Sequence, residues 1–267
     1  LRADTFSVGS SGTCTHDDLP GAISAAAATA GADTIRIVDP PAFTGPLTLI
    51  DEAPVTLAGT LSCTSSTPQS RALTIAGAAL GFQITGTALE LRHLAVTHSA
   101  GVAAVIAVDA GIATLVGSTL QGGGDFFGGN VRLGAGGSIQ LLSGSVIRDG
   151  EATFDGGGIY CTGGGTVWVY AGSGVSENRA ARGGGIFLDG CTLELSAGGP
   201  AMAALDPDDA GAPAPEGMGD PYWGIWYNQA TAAGGGVYAQ DGADIVANRA
   251  SIRENRAEGR GAGLYLT

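Results

Sequence analysis

Lysine is missing from the 267 residues: all 12 basic residues are arginine, set against 25 Asp and Glu, and the formal net charge is -13. Charged side chains make up only 14% of the chain. Nucleic acid and anionic membrane surfaces are bound through a basic footprint, so this composition argues against both as partners. Long apolar runs are also absent. A membrane helix needs roughly 18 to 20 apolar residues, and the nearest candidate, GVAAVIAVDAGIATLVG, is interrupted by Asp109 and three glycines. It reads as buried strands, and no membrane insertion by these residues is expected. The opening LRADTFSV has neither the basic nor the apolar region of a signal peptide, so an exported protein would be represented in its mature form.

Histidine is scarce and dispersed. His16, His93 and His98 are too few for a catalytic zinc with its usual three protein ligands, and they read as residues of strand faces or turns. The four cysteines, Cys14, Cys63, Cys161 and Cys191, form no CxxC or CxxxC pair, which removes zinc and redox motifs. Two disulfides remain, Cys14 with Cys63 and Cys161 with Cys191 being one of three connectivities, in an oxidising compartment. The alternative is four buried thiols. Neither a metal nor a cofactor is expected.

Glycine is what the chain has in excess. Its 47 glycines and 11 prolines lie in a sequence that is still 44% apolar, so they mark many turns around an ordered core. Four of the glycine clusters are copies: GGGIY at 156, GGGIF at 183, GGGVY at 234 and GAGLY at 261, with starts separated by 27, 51 and 27. VSENRA at 175, IWYNQA at 225 and IRENRA at 252 precede the last three. The gap of 51 is one repeat plus the 24 residues GGPAMAALDPDDAGAPAPEGMGDP, so 198–221 is an inserted surface loop. Weaker copies continue upstream, and residues 1–267 read as one array.

A unit of about 27 residues with two or three short strands cannot bury its apolar side alone, but it can when coils stack. In TVWVY and CTLEL, alternation turns Val167, Val169, Leu193 and Leu195 inward. The expected fold is all-β, a parallel solenoid of about eight or nine coils. A propeller blade of 40 to 50 residues does not fit the period. An open solenoid end exposes strand edges, and DDLPGAISAAAATAG supplies a capping helix over 18–30, with Asp18 as N-cap, Leu19 and Ile23 facing the core and Gly31 as the stop. The sequence stops at GAGLYLT as another coil would begin, so the expectation is that more protein follows or that the open end stacks on something.

The motif pair, an apolar residue three positions before the Asn of NRA or NQA followed by GG[AG] with an apolar and an aromatic residue, resembles the repeat of the polymorphic outer membrane proteins, which carry FxxN and GGA[ILV]. The match runs from 145 to 267. Val175, Ile225 and Ile252 stand where that family has phenylalanine, and glycine replaces its alanine. Upstream, DTFSV and LPGAISAAAATAGADTIRIV resemble the first coil and cap of secreted right-handed β-helices of the pectin-lyase-like superfamily. The resemblance implies a right-handed parallel β-helix displayed at a bacterial surface, with adhesive or interaction roles.

Stacked repeats turn sequence into columns about 4.8 Å apart. Asn178, Asn228 and Asn255 share one column and are expected to form a structural amide ladder. The next holds Glu151, Arg179, Gln229 and Arg256, expected to pair Glu151 with Arg179 on a solvated face. Asp149, Glu177, Tyr227 and Glu254 form the column that invites a catalytic reading, since β-helices host polysaccharide hydrolases and lyases. Acids on neighbouring rungs meet the roughly 5 to 5.5 Å of a retaining glycosidase automatically, so that distance decides nothing. No lysine is available as a lyase base, and Arg148, Arg182 and Arg253 are scattered.

The insertion carries Asp206, Asp208, Asp209, Glu216 and Asp220 without the spacing of a calcium loop. Beside it, DPYWGIWYN gathers Tyr222, Trp223, Trp226 and Tyr227, a candidate ligand-binding platform. The expected function is a non-catalytic, adhesin-like or stalk scaffold at a bacterial surface or outside the cell, contacting a host, glycan or neighbouring-protein ligand. Two alternatives are a head-to-tail self-associating filament protein and a polysaccharide hydrolase or lyase.

Overall fold

A computed structural model describes residues 3–50, 53–197 and 223–267. These residues form an all-β chain whose named strands pair only in parallel, with one α-helix. Four sheets account for the strands among the described residues. Sheet I has nine strands, from Thr5–Gly9 to Asp244–Asn248. Sheet II has seven, from Arg71–Ile75 to Ser251–Arg253. Sheet III has five, from Gly124–Phe127 to Arg256–Ala257, and sheet IV has eight, from Leu47–Ile50 to Leu264–Leu266. From residue 138 onward the chain visits I, II, III and IV in turn and then returns to I.

Alternation decides what each strand buries. In sheet I, Ile35, Leu57, Leu91, Leu115, Leu141, Val169 and Leu195 are successive register partners, and each is fully buried. Val167 and Leu193, two residues earlier on their strands, are buried as well. In sheet II the matching column includes Leu73, Val96, Leu120, Ile147, Val175 and Ile225. Burial of a Leu, Ile or Val side chain contributes about 1.5 to 3 kcal/mol, so these columns supply the main drive to stack.

The helix spans Leu19–Ala27 and not the whole of 18–30. Asp18 caps it as expected, its Oδ1 accepting from the Gly21 N–H at 2.7 Å, and Leu19, Ala22, Ile23 and Ala26 are buried. Its end comes before Gly31. The Ala28 and Thr29 N–H groups bond back to the Ala25 and Ala26 carbonyls at three-residue spacing, and the Thr29 hydroxyl donates to the Ala26 carbonyl. That tightened turn uses up the helix's last acceptors. The helix packs against Thr5–Gly9 and Leu47–Ile50, the terminal strands of sheets I and IV.

Disulfides join Cys14 to Cys63 and Cys161 to Cys191, the latter buried in the core. The four buried thiols are therefore not found, and both bridges fit an oxidising environment. Among the described residues, no helix is long and apolar enough to cross a membrane. The expected insertion at 198–221 lies outside the described residues, as do its five acids.

Candidate functional site on the outer face of sheet III

The passage from sheet II to sheet III is one tight turn that recurs four times from Asp149 onward. Its corner residues are Asp149, Glu177, Tyr227 and Glu254, all in the left-handed region with φ of 54°, 59°, 56° and 53°. That conformation costs a residue with a β-carbon about 1 to 2 kcal/mol. The residue after the corner supplies the compensation. The N–H and Nδ2 of Asn178 both donate to Asn228 Oδ1 at 3.0 Å, and those of Asn228 to Asn255 Oδ1 at 2.9 and 3.0 Å. Asn228 Nδ2 also donates to the Val175 and Trp226 carbonyls. Where the column reaches Gly150 there is no amide, and Asn130, from the turn before sheet IV, takes the space. Its Nδ2 donates to the Arg148 carbonyl and to Asn178 Oδ1, while its Oδ1 accepts from the Gly123 N–H. A β-carbon on Gly150 would lie 2.5 Å from that amide nitrogen.

The three glycines that follow sheet III meet a different demand. Gly183 has φ of 60°, and a β-carbon on Gly184 would lie 2.2 Å from the Gln229 carbonyl oxygen of the next rung. The chain there folds tightly enough to lay the end of sheet III over the outward column of sheet IV. That column is aromatic. Tyr160, Phe187, Tyr238 and Tyr265 are successive register partners, with ring centroids 5.3, 5.2 and 5.2 Å apart. Arg182 covers the stack, its guanidinium carbon 5.0 Å from the Phe187 centroid and 5.1 Å from that of Tyr238. The same guanidinium donates to both oxygens of buried Asp155 at 2.7 and 2.8 Å. These bonds hold the arginine above its usual pKa, against the opposing effect of burial. Burial, then the charge of Asp155, raises the phenol of Tyr160.

The stack continues onto sheet III through Phe127, Phe154 and Phe126. Phe127 lies 5.1 Å from Tyr160 and 5.6 Å from Phe154, and Phe126 lies 6.0 Å from Phe154. Here the rings leave cover: Phe126 is 63% and Phe154 49% exposed. Sequence reasoning missed this cluster, although the residues stand in GGGDFFGGN and EATFDGGG, segments already recognisable as copies. The usable signal was the shared offset of Phe126 and Phe154, each two residues before the glycines that close its segment.

The platform expected at Tyr222, Trp223, Trp226 and Tyr227 is corrected. Trp223 and Trp226 are each only 7% exposed. Trp223 belongs to the main core, and the Trp226 ring lies over Gly174, where a β-carbon would come within 1.9 Å of it. Two buried rings cannot offer a stacking face. Tyr227, at a turn corner, is 49% exposed, and Tyr222 lies outside the described residues.

Glu151, Arg179, Gln229 and Arg256 are register partners across sheet III, as the columns anticipate. The anticipated ion pair between Glu151 and Arg179 is not formed; the pair on this sheet is Arg182 with Asp155, because Asp155 is buried beside the aromatic stack while Glu151 faces solvent. Two adjoining hollows of about 440 and 630 Å³ flank the column and share Gly101, Glu151 and Arg179. The first reaches Val102, Phe126 and Thr231; the second reaches Asp149, Glu177, Tyr227 and Gln229. Together they form a trough bounded upstream by Gly101 and Val102.

Asp149, Glu177 and Glu254 are exposed. Among the described residues, no group of three or more His, Cys, Asp or Glu side chains gathers as a metal site would require. His98 is occupied structurally, accepting from the Gly101 N–H at Nδ1 and facing the Ala79 carbonyl through Nε2. Searches of protein-family models, curated proteins and solved structures return no match to this chain.

Proposed function

We propose that the chain is a right-handed parallel β-helix of about eight or nine coils, secreted or displayed at a bacterial surface, acting as a non-catalytic, adhesin-like scaffold over residues 1–267. The observation that carries this reading is the exposed Phe126, Phe127 and Phe154 cluster on sheet III, whose inner strands are already paired on both sides. Exposed contiguous aromatic groups mark contact surfaces. Right-handed crossing is the rule for parallel connections, the two disulfides suit an extracellular location, and the motif pair resembles the repeat of bacterial surface proteins. Self-association by end-to-end stacking is a weaker reading, since the helix packs on the terminal strands of sheets I and IV.

The test is display of the chain on a non-adherent bacterium, with retention measured on epithelial cells and on immobilised matrix proteins and glycans. Retention above the undisplayed control is expected, with loss in a Phe127→Ser/Phe154→Ser variant that keeps its circular dichroism. Equal retention of the two proteins contradicts the reading. The trough that brings Glu151 and Glu177 near Arg179 favours one further reading, a polysaccharide hydrolase or lyase. Release of reducing ends or unsaturated products, abolished by Glu177→Gln, would establish it.

A further inference from the structure

The trough over sheet III holds polar side chains that the fold does not use. Arg182 is fixed by Asp155, Arg148 donates to Gln121 Oε1 at 2.9 and 3.1 Å, and Arg71 is spent on the Thr60 and Leu61 carbonyls and Gln69. Glu151, Arg179 and Gln229 stand on three consecutive rungs and, among the described residues, make no side-chain hydrogen bond or ion pair. Neighbouring rungs lie about 4.8 Å apart, so an acceptor, a donor and an amide that is both are presented in a line along the stack. Phe126 lines one side of it and Tyr227 the other.

The chemistry of that line selects among occupants. A polyanion meets Arg179 but also Glu151, Glu177 and Asp149, on a chain of net charge -13. A cationic ligand meets the guanidinium at the centre. A peptide strand gains affinity chiefly by hydrogen-bonding to a free sheet edge. The line of Glu151, Arg179 and Gln229 instead stands on Glu151–Asp155, Arg179–Arg182 and Gln229–Ala233, strands paired on both sides, and the edge strand Gly124–Phe127 forms only the upstream wall of the trough. Hydroxyl groups are donors and acceptors at once, and an apolar sugar face suits an exposed ring. We propose that this trough binds an uncharged oligosaccharide laid across the rungs, with Glu151, Arg179 and Gln229 hydrogen-bonding its hydroxyls and Phe126 stacking on one sugar. The proposal rests on the surface-scaffold reading and names the ligand class of the same face.

Titration calorimetry with neutral gluco-, manno-, xylo- and galacto-oligosaccharides of four to six units, beside oligogalacturonate and a heparin-derived hexamer, tests it. At least one neutral series should bind with little dependence on salt, and the anionic probes should not. Affinity should fall about tenfold or more in each of Arg179→Ala, Gln229→Ala and Phe126→Ala, a loss typical of contacts that carry binding. These side chains are solvent-facing, so the unfolding midpoint should hold. Binding of anionic probes alone, absence of neutral binding, or neutral binding unchanged in Arg179→Ala and Gln229→Ala overturns it. If displayed chains adhere while no neutral oligosaccharide binds, the ligand class is wrong and the scaffold reading stands; if neither occurs, both fall. Accumulation of cleaved product would support the ligand class and replace the non-catalytic role.

Discussion

The repeats up to Gln121 and those after it share one core but differ in what they build outside it. Both halves stack Leu, Ile and Val in sheet I, from Ile35 through Leu115 to Leu195. Only the downstream half adds sheet III, the Asn178–Asn228–Asn255 ladder and the aromatic column. On the N-terminal side of Tyr160 the same column holds Arg132 and then, in the upstream half, Ala107 and Gln83. A serine pair does the job of the amide at another corner: Ser118 Oγ accepts from the Leu94 N–H and donates to the Leu91 carbonyl, and Ser145 Oγ accepts from the Ser118 N–H. The glycine-rich motif is therefore not what makes the chain stack. It makes a corner and an outer face, and the apolar alternation does the stacking.

The largest way to break this comparison is through the disulfides, one in each half. They close loops of 49 and 30 residues, and chain entropy depends only logarithmically on that size. Cys14→Ala/Cys63→Ala and Cys161→Ala/Cys191→Ala should each lower unfolding free energy by about 4 kcal/mol in denaturant titrations. A much smaller loss for the downstream pair would mean that the ladders hold that half without it.

Next comes the aromatic column. Phe187→Ala should cost about 3 kcal/mol, since it empties a buried ring site between two others. Gln83→Ala, at an upstream place in the same column, should cost about 0.5 kcal/mol. Equal values would erase the distinction between the halves. Asn228→Ala should cost about 2 kcal/mol by orphaning the Asn178 N–H and the Val175 and Trp226 carbonyls, against about 1 kcal/mol for Ser118→Ala.

Smaller effects probe the turn and the charges. Glu177→Gly should leave stability unchanged or raise it by up to about 1 kcal/mol, because glycine accepts the left-handed corner without strain. A clear loss on calorimetric melting would mean that Glu177 makes a stabilising contact. Asp189 has its pKa raised from 3.8 by burial first and by a hydrogen bond with Asp241 second. The folded state then holds the proton more tightly than the unfolded one, so this group's contribution is present at low pH and is lost as pH rises from about 4 through the folded pKa. Asp189→Asn should remove that decline from the stability profile between pH 3 and 7, and an unchanged profile would contradict the assignment.

Much of the architecture is legible in the residues themselves. Alternation in TVWVY and CTLEL identifies the core face, and the spacing of GGGIY, GGGIF, GGGVY and GAGLY sets the register in which Ile159, Ile186, Val237 and Leu264 pair. The 27-residue period also brings Asn178, Asn228 and Asn255 into line. The site is harder to read. Four aromatic residues beside an insertion look like a platform, yet Trp223 and Trp226 turn inward, because Gly174 on the neighbouring rung leaves room for a ring. Glu151 beside Arg179 looks like an ion pair, yet the buried carboxylate of Asp155 captures a different arginine.

Sequence alone determined the period, the buried alternation, the cap at Asp18 and the columns, because each depends on residues within one repeat or at a constant offset from it. Tertiary structure decided which columns face outward uncovered, how far the aromatic stack runs from Tyr265 to Phe126, and that Asn130 crosses into the ladder where Gly150 leaves a gap. Those outcomes depend on how sheets III and IV fold against each other. That angle is set by close backbone approach at glycines on neighbouring rungs, which no single repeat contains.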